Sequence, residues 1–206
     1  MAEDHTPEPD DAKVDEDRYR VLDAGALRAL AHPLRVQIYD ILSQYGPQTS
    51  SSLASMTGES SGSTSYHLRA LAKHELIREV DGRGTARERW WERPVGGVTF
   101  ANPDVMKTPA GRAVTQVVMS EFFTRRHQQL MQYVATGLQT DPEDWQEGSM
   151  ISTATARLTP AQTHDLSLKM QALLDDTVER YRDQQGDDVR PVSMRVDIFP
   201  LPEEGF

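Results

Sequence analysis

SSSLASMTGESSGSTSYHLRALAKHEL, residues 50–76, spells a short helix, a tight turn and a second helix. The first helix is apolar at Leu53 and Met56. The turn is Thr57-Gly58-Glu59-Ser60-Ser61, where Gly58 takes positive φ without steric cost and Ser60 or Ser61 can cap the second helix. That helix turns Leu68, Leu71 and Leu76 inward, with Ala70 and Ala72 beside them. It presents Ser63, Ser65, Tyr66, Arg69 and Lys73 outward. Hydroxyls and a phenol can hydrogen-bond base edges or phosphate oxygens, and the two cations can neutralise phosphates. A helix with that face, second in a helix-turn-helix, is suited to the major groove of DNA.

The flanks extend this into a larger pattern. Upstream, Leu22, Ala26, Leu27 and Leu30 recur at helical spacing within Tyr19–Leu30. His32-Pro33 breaks the chain and opens another helix, Leu34–Tyr45, with Leu34, Ile38, Ile41 and Leu42 on one face and Gly46-Pro47 as its stop. Downstream of Leu76 the period changes to two. Ile77 to Asp81 alternates, Gly82-Arg83-Gly84 is the expected turn, and Ala86–Glu92 resumes in extended form. This predicts a β-hairpin with Arg83 and Arg87 at a basic tip. Three helices and such a hairpin make a winged helix, whose tip would lie along the backbone or in the minor groove of flanking DNA.

Three runs in order, LAHPLRVQIYDIL (30–42), TSYHLRALAKHELI (64–77) and GRGTARERWWE (82–92), resemble the ArsR-type winged helix-turn-helix regulators. They are most similar to the larger branch, whose wing ends in an Arg-Glu-Arg-Trp-Trp-like strand. The resemblance covers residues 20–93 and implies a homodimeric transcription factor, a repressor, on a two-fold symmetric operator. The residues expected at DNA are Ser61, Ser63, Thr64, Ser65, Tyr66, His67, Arg69 and Lys73 on the recognition helix, and Arg83 and Arg87 on the wing. Two alternatives stay open for Tyr66: a base or phosphate contact, or a solvated phenol. His67 matches a family histidine beside the core Leu68, in packing or at a phosphate. Of Trp90 and Trp91, one is expected to pack on the helices and the other to face the linker or a partner chain, core filling being the ordinary use of such rings. Metal-sensing members use a Cys pair in the helix before the recognition helix, where this chain has LASMTG. Others place Asp and His on a C-terminal helix, where this chain has only Glu121 and His127. No metal and no cofactor is expected.

Composition sets the limits. The 206 residues hold no Cys, which removes disulfides and thiolate metal sites. No apolar run approaches the roughly 20 residues that span a bilayer. The opening MAEDHTPEPDDAKVDEDR is acidic and lacks an apolar core, unlike a secretory signal, so a cytoplasmic location is the expectation. The net charge of −10 is unevenly spread: residues 1–18 carry −6, 19–93 carry +2 and 94–206 carry −6. Phosphate attraction acts within a Debye length of about 8 Å, so the local balance matters more than the total.

The expected organisation is a disordered acidic tail (1–18), a winged helix (19–93), a linker (94–108) with a possible strand Val98–Ala101, a dimerisation helix (109–140) and a small α+β unit (141–206). The fold class is mainly α with small β. The helix from Pro109 to Gly137 carries Val114, Val117, Val118, Phe122, Leu130, Tyr133, Val134 and, just beyond, Leu138, interrupted by Arg125 and Arg126. Such a stripe pairs with its copy in a second chain or packs within its own. Beyond it, MISTATARL (150–158) and VSMRVDIFPL (192–201) read as strands around a helix from Pro160 to Arg182, a parallel pair with a crossover. Walker and HExxH patterns are absent from the sequence, and no nucleophile, base and orienting group form a recognisable set, so no enzyme is expected. The partners are double-stranded DNA, a second copy, and an unidentified small-molecule effector. A winged helix that binds a protein and not DNA is the alternative, kept by the near-neutral charge of 19–93.

Overall fold

The computed structural model describes residues 19–85 and 88–202. The expected acidic tail and Arg87 lie outside the described residues. The chain divides into two units, one ending at Ile151 and one holding the C-terminal residues from Ser152 on. Each is described by itself.

The first unit is built by caps the sequence supplies. Strand β1 (Tyr19–Val21) leads to α1 (Ala24–Leu30), shorter than the expected helix because Asp23 caps it. The Asp23 carboxylate accepts from Ala26 N at 2.7 Å, and this bond holds its pKa below the usual value. Helix α2 (Pro33–Tyr45) has Pro33 in its first turn and ends at Gly46. Strand β2 (Gln48–Thr49) runs straight into α3 (Ser50–Thr57), where Thr49 and Ser52 form a capping box. Gly58, at φ 72°, ends α3 in the left-handed region. The Ser60 hydroxyl accepts from Ser63 N at 3.1 Å and starts α4 (Ser61–Ala72). Leu22, Leu27, Leu30, Ile38, Leu53 and Leu68 are fully buried between these helices. Each contributes about 1.5–3 kcal/mol by leaving water. Of the two apolar positions read on α3, Leu53 is buried and Met56 is exposed at 43%.

The hairpin is β3 (Arg78–Thr85) with β4 (Glu88–Glu92). Its turn is not Gly82-Arg83-Gly84, which lies within β3. The register runs Glu79↔Trp91 and then Gly84↔Arg89, so β3 carries extra residues in a bulge between the two pairs. Gly84, at φ 103°, sits where a Cβ would collide with the Glu88 carbonyl. Strand β2 adds to the other edge of β4 through Gln48↔Trp91 and Thr49↔Trp90. Thr49 therefore belongs both to the wing sheet and to the cap of α3.

Residues 94–108, expected as linker, fold back on the helices. Strand β5 (Gly97–Thr99) pairs in parallel with β1, and Asn102 caps α5 (Pro103–Met106) while donating to Leu22 O at 3.0 Å. The expected long helix is present. α6 (Pro109–Gln132) passes through a π-helical turn at Tyr133–Gly137 into α7 (Leu138–Thr140), and α8 (Glu143–Glu147) comes next. One face of α6, at Gly111, Thr115, Val118 and Phe122, is buried, against α1 and α2 of the same chain. Phe122 meets Tyr39 edge-on at 6.1 Å and Phe100 at 4.8 Å. Val117, Phe123, Leu130 and Met131 stay exposed.

The second unit keeps its helix and loses its strands. α9 (Pro160–Tyr181) begins at a Thr159–Gln162 capping box. Residues 150–158 and 192–201 form no ladder among the described residues. The expected parallel pair is absent because alternation specifies an extended backbone and not a partner.

Candidate nucleic-acid interface

Helix α4 arises from the caps at its start and the leucines along its inner face. Leu68 and Leu71 are fully buried, which fixes the helix's rotation. Its outer ridge then reads Gly62, Tyr66, Arg69 and Lys73, successive i, i+4 and i, i+3 neighbours. Tyr66 is exposed at 62%, and Arg69 and Lys73 are exposed too. Neither cation has a carboxylate partner among the described residues. Gly62 has open space where a side chain would stand, with Ser60 Oγ nearest at 3.9 Å. Ser61 is exposed at the helix start, and Ser63 is half-buried.

Thr64 is placed differently from expectation. It is fully buried, with its hydroxyl 2.9 Å from Ser50 O, 3.0 Å from Ser61 O and 2.9 Å from Ser50 Oγ. It holds α3 against α4 and faces no solvent. Ser65 Oγ joins the same cluster, 2.7 Å from Ser50 Oγ. Ser50, not among the expected site residues, is thus the hub that sets where the recognition helix starts. The spacing carries the signal: Thr64 lies four residues before Leu68 and seven before Leu71, on the buried stripe.

His67 is buried at 8% exposure. Its ring lies 4.5 Å from His32 and edge-on to Tyr66 at 5.2 Å. His32 Nδ1 accepts from Leu34 N at 3.2 Å and caps α2. Burial lowers the His67 pKa, and the neighbouring His32 and Arg35 add to the shift. His67 Nδ1 has no hydrogen-bond partner among the described residues. The tilted pair carries the start of α2 to the flank of α4, so His32 and Arg35 border that helix, which their distance in sequence conceals.

On the wing, Arg83 lies over the Trp90 ring at 3.7 Å, a cation–π contact that orients the guanidinium and keeps its charge. Trp91 is half-buried against the helical core. Arg78 and Arg89 pair with Glu92 and Glu79, which leaves Arg83 as the wing cation without a carboxylate among the described residues. No group of three or more His, Cys, Asp or Glu among the described residues is arranged to hold a metal ion. No helix among them is long and apolar enough to cross a membrane.

A family model described as a helix-turn-helix domain matches residues 30–80. It covers α2, α3 and α4, the elements that build this surface. No curated protein matches the chain. The match and the geometry together give residues 30–80 a helix-turn-helix domain, which suggests a DNA-binding regulator.

Proposed function

We propose that the protein is an ArsR-type transcriptional regulator, a cytoplasmic homodimer that represses by reading an inverted-repeat operator. The observation that carries this is the exposed row Tyr66, Arg69 and Lys73 on a helix whose inner face and both neighbours are fixed by packing. Two such helices would enter successive major grooves about 34 Å apart. In this reading Tyr66 and Ser63 would touch base edges, and Arg69, Lys73 and Arg83 would neutralise phosphates. An effector acting on the C-terminal unit would alter operator affinity by favouring one spacing of the two helices.

The test is binding of the purified protein to a genomic fragment library, with sequencing of retained DNA at two salt concentrations. One inverted-repeat motif that survives the higher salt supports the reading and supplies the operator. Binding without a motif that collapses with salt reduces the surface to electrostatics. No binding at either salt favours the protein-partner alternative, for which the +2 charge of residues 19–93 speaks.

A further inference from the structure

The end of α4 and the base of the wing meet at a cavity of about 340 Å³, walled by residues of the first unit. α4 closes with Glu75 N donating to Ala72 O at 2.9 Å and Leu76 N donating to Leu71 O at 3.2 Å. This closure puts Glu75 in the left-handed region, at φ 55°, where glycine is usual. Arg20, on β1, fastens that turn. Its guanidinium donates to Glu75 O at 2.7 Å and to His74 O at 2.9 Å. Arg93, the residue after β4, stands on the wing side of the cavity. It donates to the Tyr39 hydroxyl at 3.5 Å and lies over that ring at 5.8 Å. Val95 and Val98 add apolar lining.

The chemistry of the lining selects a ligand. Its charged residues are Arg20, Arg93 and Glu75. One negative charge balances two cations and one carboxylate, whereas a dianion overshoots. Arg20 is engaged with two carbonyls and acts on the Asp23 carboxylate. Arg93 contacts the neutral Tyr39 and has no carboxylate partner among the described residues. Its planar fork matches a carboxylate in two parallel bonds. A guanidinium beside a phenol ring and two valines fits an anion with an apolar body. The volume falls at the lower end of the range for small-ligand sites, roughly 300–1,000 Å³.

We propose that this cavity binds a small organic monocarboxylate, its carboxylate on Arg93 and its apolar body against Tyr39, Val95 and Val98. Such a ligand would touch the turn that ends α4 and the residue that ends the wing at once. Its action as an effector rests on the regulator reading above, in which both elements reach DNA.

Benzoate and hexanoate are the probes, added to the ¹⁵N-labelled full chain. Benzamide is the uncharged match and sulfate the dianion. Amide shifts should cluster at Leu76, Gly96, Gly97 and Val98 and saturate with one or both probes. Benzamide and sulfate should bind about tenfold more weakly or worse, and so should benzoate to Arg93→Gln, which loses a hydrogen bond to a charged group. Arg93→Lys should recover part of that loss. Val95→Trp, at a position 67% exposed, should block entry with every charge in place, and it decides if Arg93→Gln abolishes cooperative unfolding. Shifts scattered over surface cations, equal binding of benzamide or sulfate, or no saturable shift with either probe overturns the site. Binding that a folded Arg93→Gln leaves unchanged overturns it too. Operator affinity in a gel shift, with and without benzoate, reads the effector role separately. A filled cavity with unchanged operator affinity overturns that role and leaves the site. A chain that fills the cavity and binds no DNA overturns the regulator reading alone.

Discussion

Two neighbours on α4 have opposite duties. Tyr66 shows its ring to solvent, and Thr64 turns its hydroxyl inside, onto Ser50 and Ser61. Thr64→Val keeps the shape and removes the hydroxyl's bonds to Ser50 and Ser61, so it should lower stability by about 1 kcal/mol in urea denaturation. Tyr66→Ala should leave the urea midpoint within about 0.5 kcal/mol of wild type, as expected of exposed sites, while weakening operator binding in a gel-shift titration. If both variants change both readouts alike, this division of duties is wrong.

His67 adds a dependence on pH. Its folded pKa lies below the ordinary value of 6.5, so the unfolded chain takes up the proton first. Stability is then full above about 6.5 and falls as pH drops through that region toward the folded value. Asp40 acts with the opposite sign, since burial raises its folded pKa above 3.8; its stability is lost as pH rises above that figure. Thermal unfolding of His67→Asn beside wild type between pH 7 and 5 isolates the histidine: the variant's curve should be flatter. Curves that run parallel would show that His67 does not set this pH dependence.

At the scale of elements, the wing and the α2–α6 seam matter most. A Cβ on Gly84 would meet the Glu88 carbonyl, and its φ of 103° disfavours any side chain. Gly84→Ala should loosen the hairpin, which amide exchange would show in β3 and β4 ahead of α1–α4. The seam is polar where cores are usually not. Arg125 Nε stands 3.7 Å from the buried Asp40 carboxylate, and the Gln44 and Gln129 amides bond reciprocally at 2.9 and 3.3 Å. Arg125→Ala leaves the Asp40 charge buried with Arg126 and Gln44 to offset it among the described residues. The expected loss is about 3 kcal/mol in urea, at the low end for breaking a buried pair. No loss would mean that Arg125 is not the partner.

The same elements show what the sequence can disclose. α2, α3 and α4 are legible because periodic leucines, Pro33, Gly58 and Ser60 all mark the same boundaries. The wing's turn is misplaced on sequence grounds because a glycine-rich bulge and a glycine-rich turn have the same composition. Residues 94–108 read as linker with a possible strand at Val98–Ala101, which β5 overlaps at Val98 and Thr99, while the four residues of α5 are too short to show a period. The alternation at 150–158 and 192–201 reveals an extended backbone and misleads about its partner.

At the scale of the whole molecule, the winged helix does not end where its sequence resemblance ends. Val118 and Phe122 belong to the same buried cluster as Leu27, Leu30 and Tyr39. A fragment of residues 19–93 would leave the α1 and α2 surface that these side chains cover open to water. It should melt without a cooperative transition by circular dichroism, while residues 19–140 should show one. Equal cooperativity in the two fragments would make α6 an accessory to the fold.

That shared floor bears on interchangeability. A chimera grafting another helix-turn-helix protein's long helix onto this chain at residue 108 would inherit a partner shaped for someone else's α1 and α2. Val118 and Phe122 would have to travel with the reading head, and the natural point for exchanging modules lies past the middle of α6.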